Sequence, residues 1–161
     1  MAHRDAAKSD EPLKLEQLHR DILAPQLDVF IAAAPDATAR APYEALREAL
    51  EALEVPPELT ARLGAIAELA ITSGRVRDAY GPGAELALWG LFQRTPRGRE
   101  IAESVAALNA ALKPLAGQAI ESVSAISRAP GAYALTIKTD QYQVVIRFEP
   151  AGVRIESLEV G

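Results

Sequence analysis

Apolar residues recur every three or four positions over residues 12–117, then at every second position over residues 133–148. The first period is that of a helix with one buried face, the second that of a strand with one buried face. Leu15, Leu18 and Ile22 open the helical pattern from Pro12 onward, and Leu27, Phe30 and Ile31 resume it. Pro25, between them, removes a backbone donor and is expected to kink or split this first helix. The run APDATARAP, residues 34–42, reads as a linker, with Pro42 suited to the first turn of the next helix. Tyr43, Leu46, Leu50 and Leu53 then form one stripe, and Leu59, Leu63, Ile66 and Leu69 a second after Pro56-Pro57. Gly74 is placed as a C-terminal stop. RVRDAY, closed by Gly81-Pro82-Gly83, reads as a short turn of helix or a loop. Leu86, Leu88, Trp89, Leu91 and Phe92 are apolar on most sides, which predicts a helix through the centre of the fold. Ile101, Val105, Leu108 and Leu112 mark a last amphipathic helix.

After Gly117 the period changes. Tyr133, Leu135 and Ile137 alternate with polar residues, as do Tyr142, Val144, Ile146 and Phe148. A two-residue loop at Asp140-Gln141 sets Ile137 against Val144, Leu135 against Ile146 and Tyr133 against Phe148, so that every apolar side chain meets an apolar partner. Glu149-Pro150-Ala151-Gly152 fits a turn with proline second and glycine fourth. A further strand, Val153 to Val160, follows, its alternation slipping at Ser157-Leu158 as a bulge would make it. Residues 119–128 extend the preceding helix or form a fourth strand. Their β-branched residues and the Pro130-Gly131 turn favour the strand.

These elements predict an α+β fold. Five or six helices over residues 12–117 are followed by a three- or four-stranded antiparallel meander, about residues 119–160, packed on the helices. One domain, residues 12–161, is expected, preceded by a polar, aperiodic leader over residues 1–11 that composition marks as disordered.

Composition narrows the function classes. The chain has 161 residues and no cysteine, which removes disulfides, thiolate metal sites and cysteine nucleophiles. No stretch has the length and apolarity of a signal peptide or a spanning helix, so a cytoplasmic protein without membrane contact is expected. Residues 1–72 carry seven basic and thirteen acidic groups, whereas residues 73–99 carry five basic and two acidic. The basic footprint is small for a nucleic-acid binder, and the acidic half would repel phosphates.

The basic cluster centres on QRTPRGRE, residues 93–100. Thr95 is a suitable N-cap and Pro96 a suitable first helical residue, so the stretch reads as a tight corner between two helices. Arg97 and Arg99 then lie in a first turn, where positive charge opposes the helix dipole. With Arg94, Arg75 and Arg77 they form the candidate docking site for an anion or an acidic partner. Arg97 and Arg99 are expected to project together, largely exposed, with Arg94 across the corner.

Catalytic signatures are sparse. His3 lies in the leader, and His19 beside the first apolar stripe reads as a boundary side chain. No serine lies in a nucleophile-elbow motif, and GPGAE, residues 81–85, lacks the spacing of a phosphate loop. Glu44/Glu48 and Glu51/Glu54 read as a solvated helix face rather than acid–base pairs. No catalytic residue, cofactor or metal is assigned. The leading expectation is a non-enzymatic protein-interaction or regulatory module that self-associates. The alternatives are a small-ligand pocket between sheet and helices, lined by Trp89, Tyr133, Tyr142 and Phe148, and phosphate or nucleic-acid binding through the arginine corner.

Overall fold

The computed structural model describes residues 11–161. The expected leader and His3 lie outside the described residues, apart from Glu11. The fold is α+β: among the described residues six α-helices are followed by a four-stranded antiparallel sheet. The chain forms two compact units, one ending at Gly98 and the other spanning Arg99–Gly161. Most of the last helix therefore groups with the sheet.

The first unit holds helices α1 (Gln17–Ala33), α2 (Ala37–Glu51), α3 (Thr60–Thr72), α4 (Arg75–Tyr80) and α5 (Pro82–Phe92). Two short strands, β1 (Leu13–Lys14) and β2 (Glu54–Val55), pair antiparallel, Leu13 against Val55. The helical pattern read from Pro12 thus begins only at Gln17, because Leu13 and Leu15 are buried as extended chain, with the Leu15 amide donating to the Leu53 carbonyl at 2.9 Å. Ile22, Leu23, Leu27, Leu46, Leu50, Leu63, Leu88, Leu91 and Phe92 make the core. Fully burying a side chain of this size is worth roughly 1.5–3 kcal/mol.

Three local expectations are corrected. Helix α1 is not split at Pro25 but runs on to Ala33. A proline at this position cannot donate to the carbonyl four residues earlier, that of Asp21. The Tyr80 hydroxyl donates to that carbonyl instead, at 3.4 Å. Helix α2 begins five residues before Pro42, because Asp36 caps it: its carboxylate accepts from the Ala39 amide at 2.8 Å. The carbonyl that Pro42 leaves without a helical donor belongs to Thr38, an exposed residue. Helix α5 is not buried all round, since Leu86 and Trp89 lie on the surface while Ala84, Leu88, Leu91 and Phe92 point inward. Gly74 does end α3, in a left-handed conformation with φ of 73°.

In the second unit, helix α6 (Pro96–Leu112) leads to β3 (Ile120–Ala129), β4 (Ala132–Thr139), β5 (Tyr142–Glu149) and β6 (Gly152–Val160). The strands lie in sequence order, β3-β4-β5-β6. Ile137 opposes Val144, Leu135 opposes Ile146 and Tyr133 opposes Phe148, the register read from the alternation. Val144 and Ile146 are buried at the centre of that face. The β4–β5 turn works without glycine because Thr139 supplies its hydrogen bonds. The Thr139 hydroxyl accepts from the Tyr142 amide at 2.9 Å and donates to the Tyr142 carbonyl at 3.2 Å. Residues 120–129 form a strand, as the β-branched residues favour. The β6 irregularity falls at Glu156, between Ile155 and Ser157, slightly earlier than the alternation suggests. Gly152 at the start of β6 faces Ser104 of α6: a Cβ on Gly152 would lie 3.3 Å from the Ser104 hydroxyl.

Candidate functional site

The arginine corner is first of all a packing device. Thr95, with no exposed surface, donates its hydroxyl hydrogen to the Phe92 carbonyl at 2.6 Å and accepts from the Gly98 amide at 3.3 Å. It therefore ends one helix and caps the next, as expected. Gly98 is required because a Cβ there would overlap the Phe92 carbonyl. The arginines of the first unit are not brought into one free cluster. Arg94 donates to the Lys14 carbonyl at 3.0 Å, Arg97 lies 3.9 Å from the Glu68 carboxylate, and Arg77 lies 3.6 Å from Glu85. Arg97 is half-buried rather than projecting freely; Arg75 and Arg99 are exposed.

The three aromatic candidates of the second unit do not gather at one point. Tyr133 and Phe148 oppose each other and are exposed. Tyr142 lies six residues along β5, about 20 Å from Phe148 at a strand's rise. Trp89 borders a surface groove on α5 with Ile71, Pro82 and Leu86. A second groove, of about 440 Å³, lies where α1, α2 and α3 meet. There Phe30 stacks on Tyr43 with ring centres 5.5 Å apart, and the Arg62 guanidinium sits 4.7 Å above the Tyr43 ring. Sequence reading missed this stack, whose three members come from three helices with no common spacing.

His19 is buried in the first unit rather than at a boundary. Its Nδ1 accepts from the Glu16 amide at 3.0 Å, which leaves the ring hydrogen on Nε2, facing the Ala87 carbonyl at 3.2 Å. Both ring nitrogens thus serve the start of α1 and its contact with α5. Glu51 is bound by Arg47 and, at 3.4 Å, by Arg20. The Arg47 hydrogen bond holds the Glu51 carboxyl below its ordinary range, and raises the Arg47 guanidinium in return. Among the described residues no three His, Asp or Glu side chains gather where they could hold a metal ion. Among the same residues no helix is long and apolar enough to cross a membrane.

The most distinctive surface is the edge of the sheet at β3. All ten of its residues are exposed, with Ile120, Val123 and Ile126 at 63%, 55% and 52%. An edge strand leaves backbone donors and acceptors open on one side, and natural sheets blunt such edges with charge, proline or bulges. The other edge, β6, is blunted in this way: it carries Arg154, Glu156 and Glu159 and is bulged at its middle. Along β3 the run Ser122-Val123-Ser124-Ala125-Ile126-Ser127 is regular and uncharged. Bulges and charges occur only at its two ends, Glu121 at one and Arg128 at the other.

Both end charges lie on the same, polar face. Glu121 reaches Lys138 at 3.0 Å, and Arg128 reaches Glu156 at 3.7 Å. Glu156 also binds Arg147 at 3.1 Å, and Arg147 and Arg154 share Glu149 at 3.6 and 3.4 Å. Arg147 and Arg154 oppose each other directly, a like-charge pairing that the two glutamates offset. In sequence the open edge is marked by Ser122, Ser124 and Ser127, which interrupt the apolar residues of β3 on both faces.

No protein-family model matches the chain, and no curated protein or solved structure is significantly similar to it.

Proposed function

We propose that this chain is a non-enzymatic protein-interaction module that works by self-association. The observation that carries the reading is the exposed, uncharged run Ser122–Ser127 on an open sheet edge. Backbone groups on such an edge are satisfied equally by water or by another strand. Only the second also buries Val123 and Ile126 side-chain surface. Tyr133 and Phe148, exposed as a pair on the apolar face, add surface of the kind that partners cover. Sedimentation equilibrium over a concentration series tests the reading. A concentration-dependent rise in mass is expected, and a strict monomer at high micromolar concentration refutes it.

Ligand binding has its own supporting observation, away from the sheet. Arg62, stacked on Tyr43 over a groove floored by Ile66 and Leu69, presents guanidinium donors beside apolar surface. That combination suits a carboxylate on an aromatic or aliphatic body. Saturation-transfer NMR with a panel of aryl carboxylates, repeated on Arg62→Met, tests it. Signal that is absent, or that survives the substitution, removes the reading.

A further inference from the structure

We propose that the partner of β3 is β3 of a second copy, paired antiparallel about a two-fold axis at Ala125. The inference rests on the self-association reading and specifies its geometry. Directly opposed residues in an antiparallel pair share a face, and a two-fold axis normal to the sheet keeps each face on its own side. A symmetric pairing must therefore centre on a single residue position. Centring on Ala125 sets Ser124 against Ile126, Val123 against Ser127 and Ser122 against Arg128 of the second copy.

The charges at the two ends choose this arrangement. Glu121 occupies the bulge beside Ser122 and lies on the Lys138 side of the sheet. Arg128 occupies the bulge at the other end and lies on the same side, toward Glu156. Antiparallel pairing therefore brings Glu121 of each copy to Arg128 of the other, twice by symmetry. Parallel pairing would set glutamate beside glutamate and arginine beside arginine. The uncharged centre fits itself, and the ends fit only in the antiparallel sense.

Pairing of β3 with β6 of another copy would instead be head-to-tail and open-ended. The charges and mid-strand bulge of β6 oppose it. The β3–β3 pairing closes at two copies and yields one continuous eight-stranded sheet, with the blunted β6 strands as its outer edges.

Two measurements on the full chain test this. The protein has no cysteine, so a single Ala125→Cys substitution gives an unambiguous probe at the axis. On mild oxidation it is expected to cross-link into covalent dimers, whereas Glu159→Cys on β6 is not. In sedimentation equilibrium, Glu121→Lys and Arg128→Glu are each expected to weaken dimerisation roughly tenfold, since each reverses two symmetry-related pairs. The double variant Glu121→Lys/Arg128→Glu is expected to recover most of that loss. Circular dichroism confirms that every variant keeps its fold. A wild-type dimer whose Ala125→Cys variant cross-links no faster than Glu159→Cys, with no recovery in the double variant, overturns β3 pairing and leaves self-association standing. A monomeric wild type removes both.

Discussion

The Thr95 hydroxyl oxygen stands 2.9 Å from the point where a side chain on Gly64 would begin. Helix α3 comes this close to the corner before α6 only because residue 64 has no Cβ. Glycine inside a helix normally costs about 1 kcal/mol against alanine. Gly64→Ala is nonetheless expected to destabilise, by about 1–3 kcal/mol, because the buried Thr95 has nowhere to move. Thr95→Ala removes a cap and costs about 0.5–2 kcal/mol by itself. It also removes the nearest atom and leaves the residue 95 Cβ 3.1 Å away, so the double variant should be more stable than the two single losses sum to. Urea denaturation of the four proteins measures that difference, and strict additivity would show that the two sites do not press on each other.

Pro25 and Tyr80 should be coupled through the Asp21 carbonyl. Tyr80→Phe removes the donor that replaces the missing proline amide and is expected to cost about 0.5–1 kcal/mol. Pro25→Ala restores the helical donor, so the same tyrosine change should then cost little. Equal losses in both backgrounds would mean that the 3.4 Å contact does not stabilise α1.

Glu51 gives a pH dependence of known sign. Its carboxyl is lowered by the hydrogen bond from Arg47, so folding favours the ionised form. The stabilisation is complete above the titration of an unfolded glutamate and is lost as pH falls through the lower folded value. In Arg47→Met the Glu51 side-chain carbonyl resonance should titrate at a higher pH. The stability gap between wild type and variant should narrow in acid. An unshifted midpoint would exclude Arg47 as the cause.

Thr139→Val keeps the shape of the side chain and deletes the hydroxyl that organises the β4–β5 turn. A loss of about 1–3 kcal/mol is expected, because the Tyr142 amide loses its partner. Amide exchange at Tyr142 should accelerate with it. Unchanged exchange at Tyr142 would assign the turn's order to its flanking strands.

The β4–β5 register was legible in sequence because a two-residue period and a two-residue loop permit only one pairing of Tyr133, Leu135 and Ile137 with Phe148, Ile146 and Val144. The corner at Thr95 was legible because capping and first-turn proline are local chemistry. Other features depended on distant partners. Pro25 reads as a break until Tyr80 arrives from 55 residues away. The apolar crowding of α5 gives no sign that Leu86 and Trp89 face outward. Strands β1 and β2, two residues each, are too short to show any period. The candidate edge was the least legible part. Residues 119–128 read as helix extension or strand, and three of the five candidate arginines, Arg94, Arg97 and Arg77, lie against Lys14, Glu68 and Glu85.

The meander has a kinetic consequence. Each strand of the sheet neighbours the next in sequence, and the β4–β5 hairpin closes a loop of only two residues. The β1–β2 pairing instead joins segments about forty residues apart, at a correspondingly larger entropy of closure. Pulsed hydrogen exchange should therefore find β4 and β5 protected before the Leu15 amide. During that interval the chain presents the sheet with its open β3 edge while the β1–β2 pairing is still to form. Refolding yield should then fall as protein concentration rises, and Ala125→Lys, which charges the centre of that edge, should restore it.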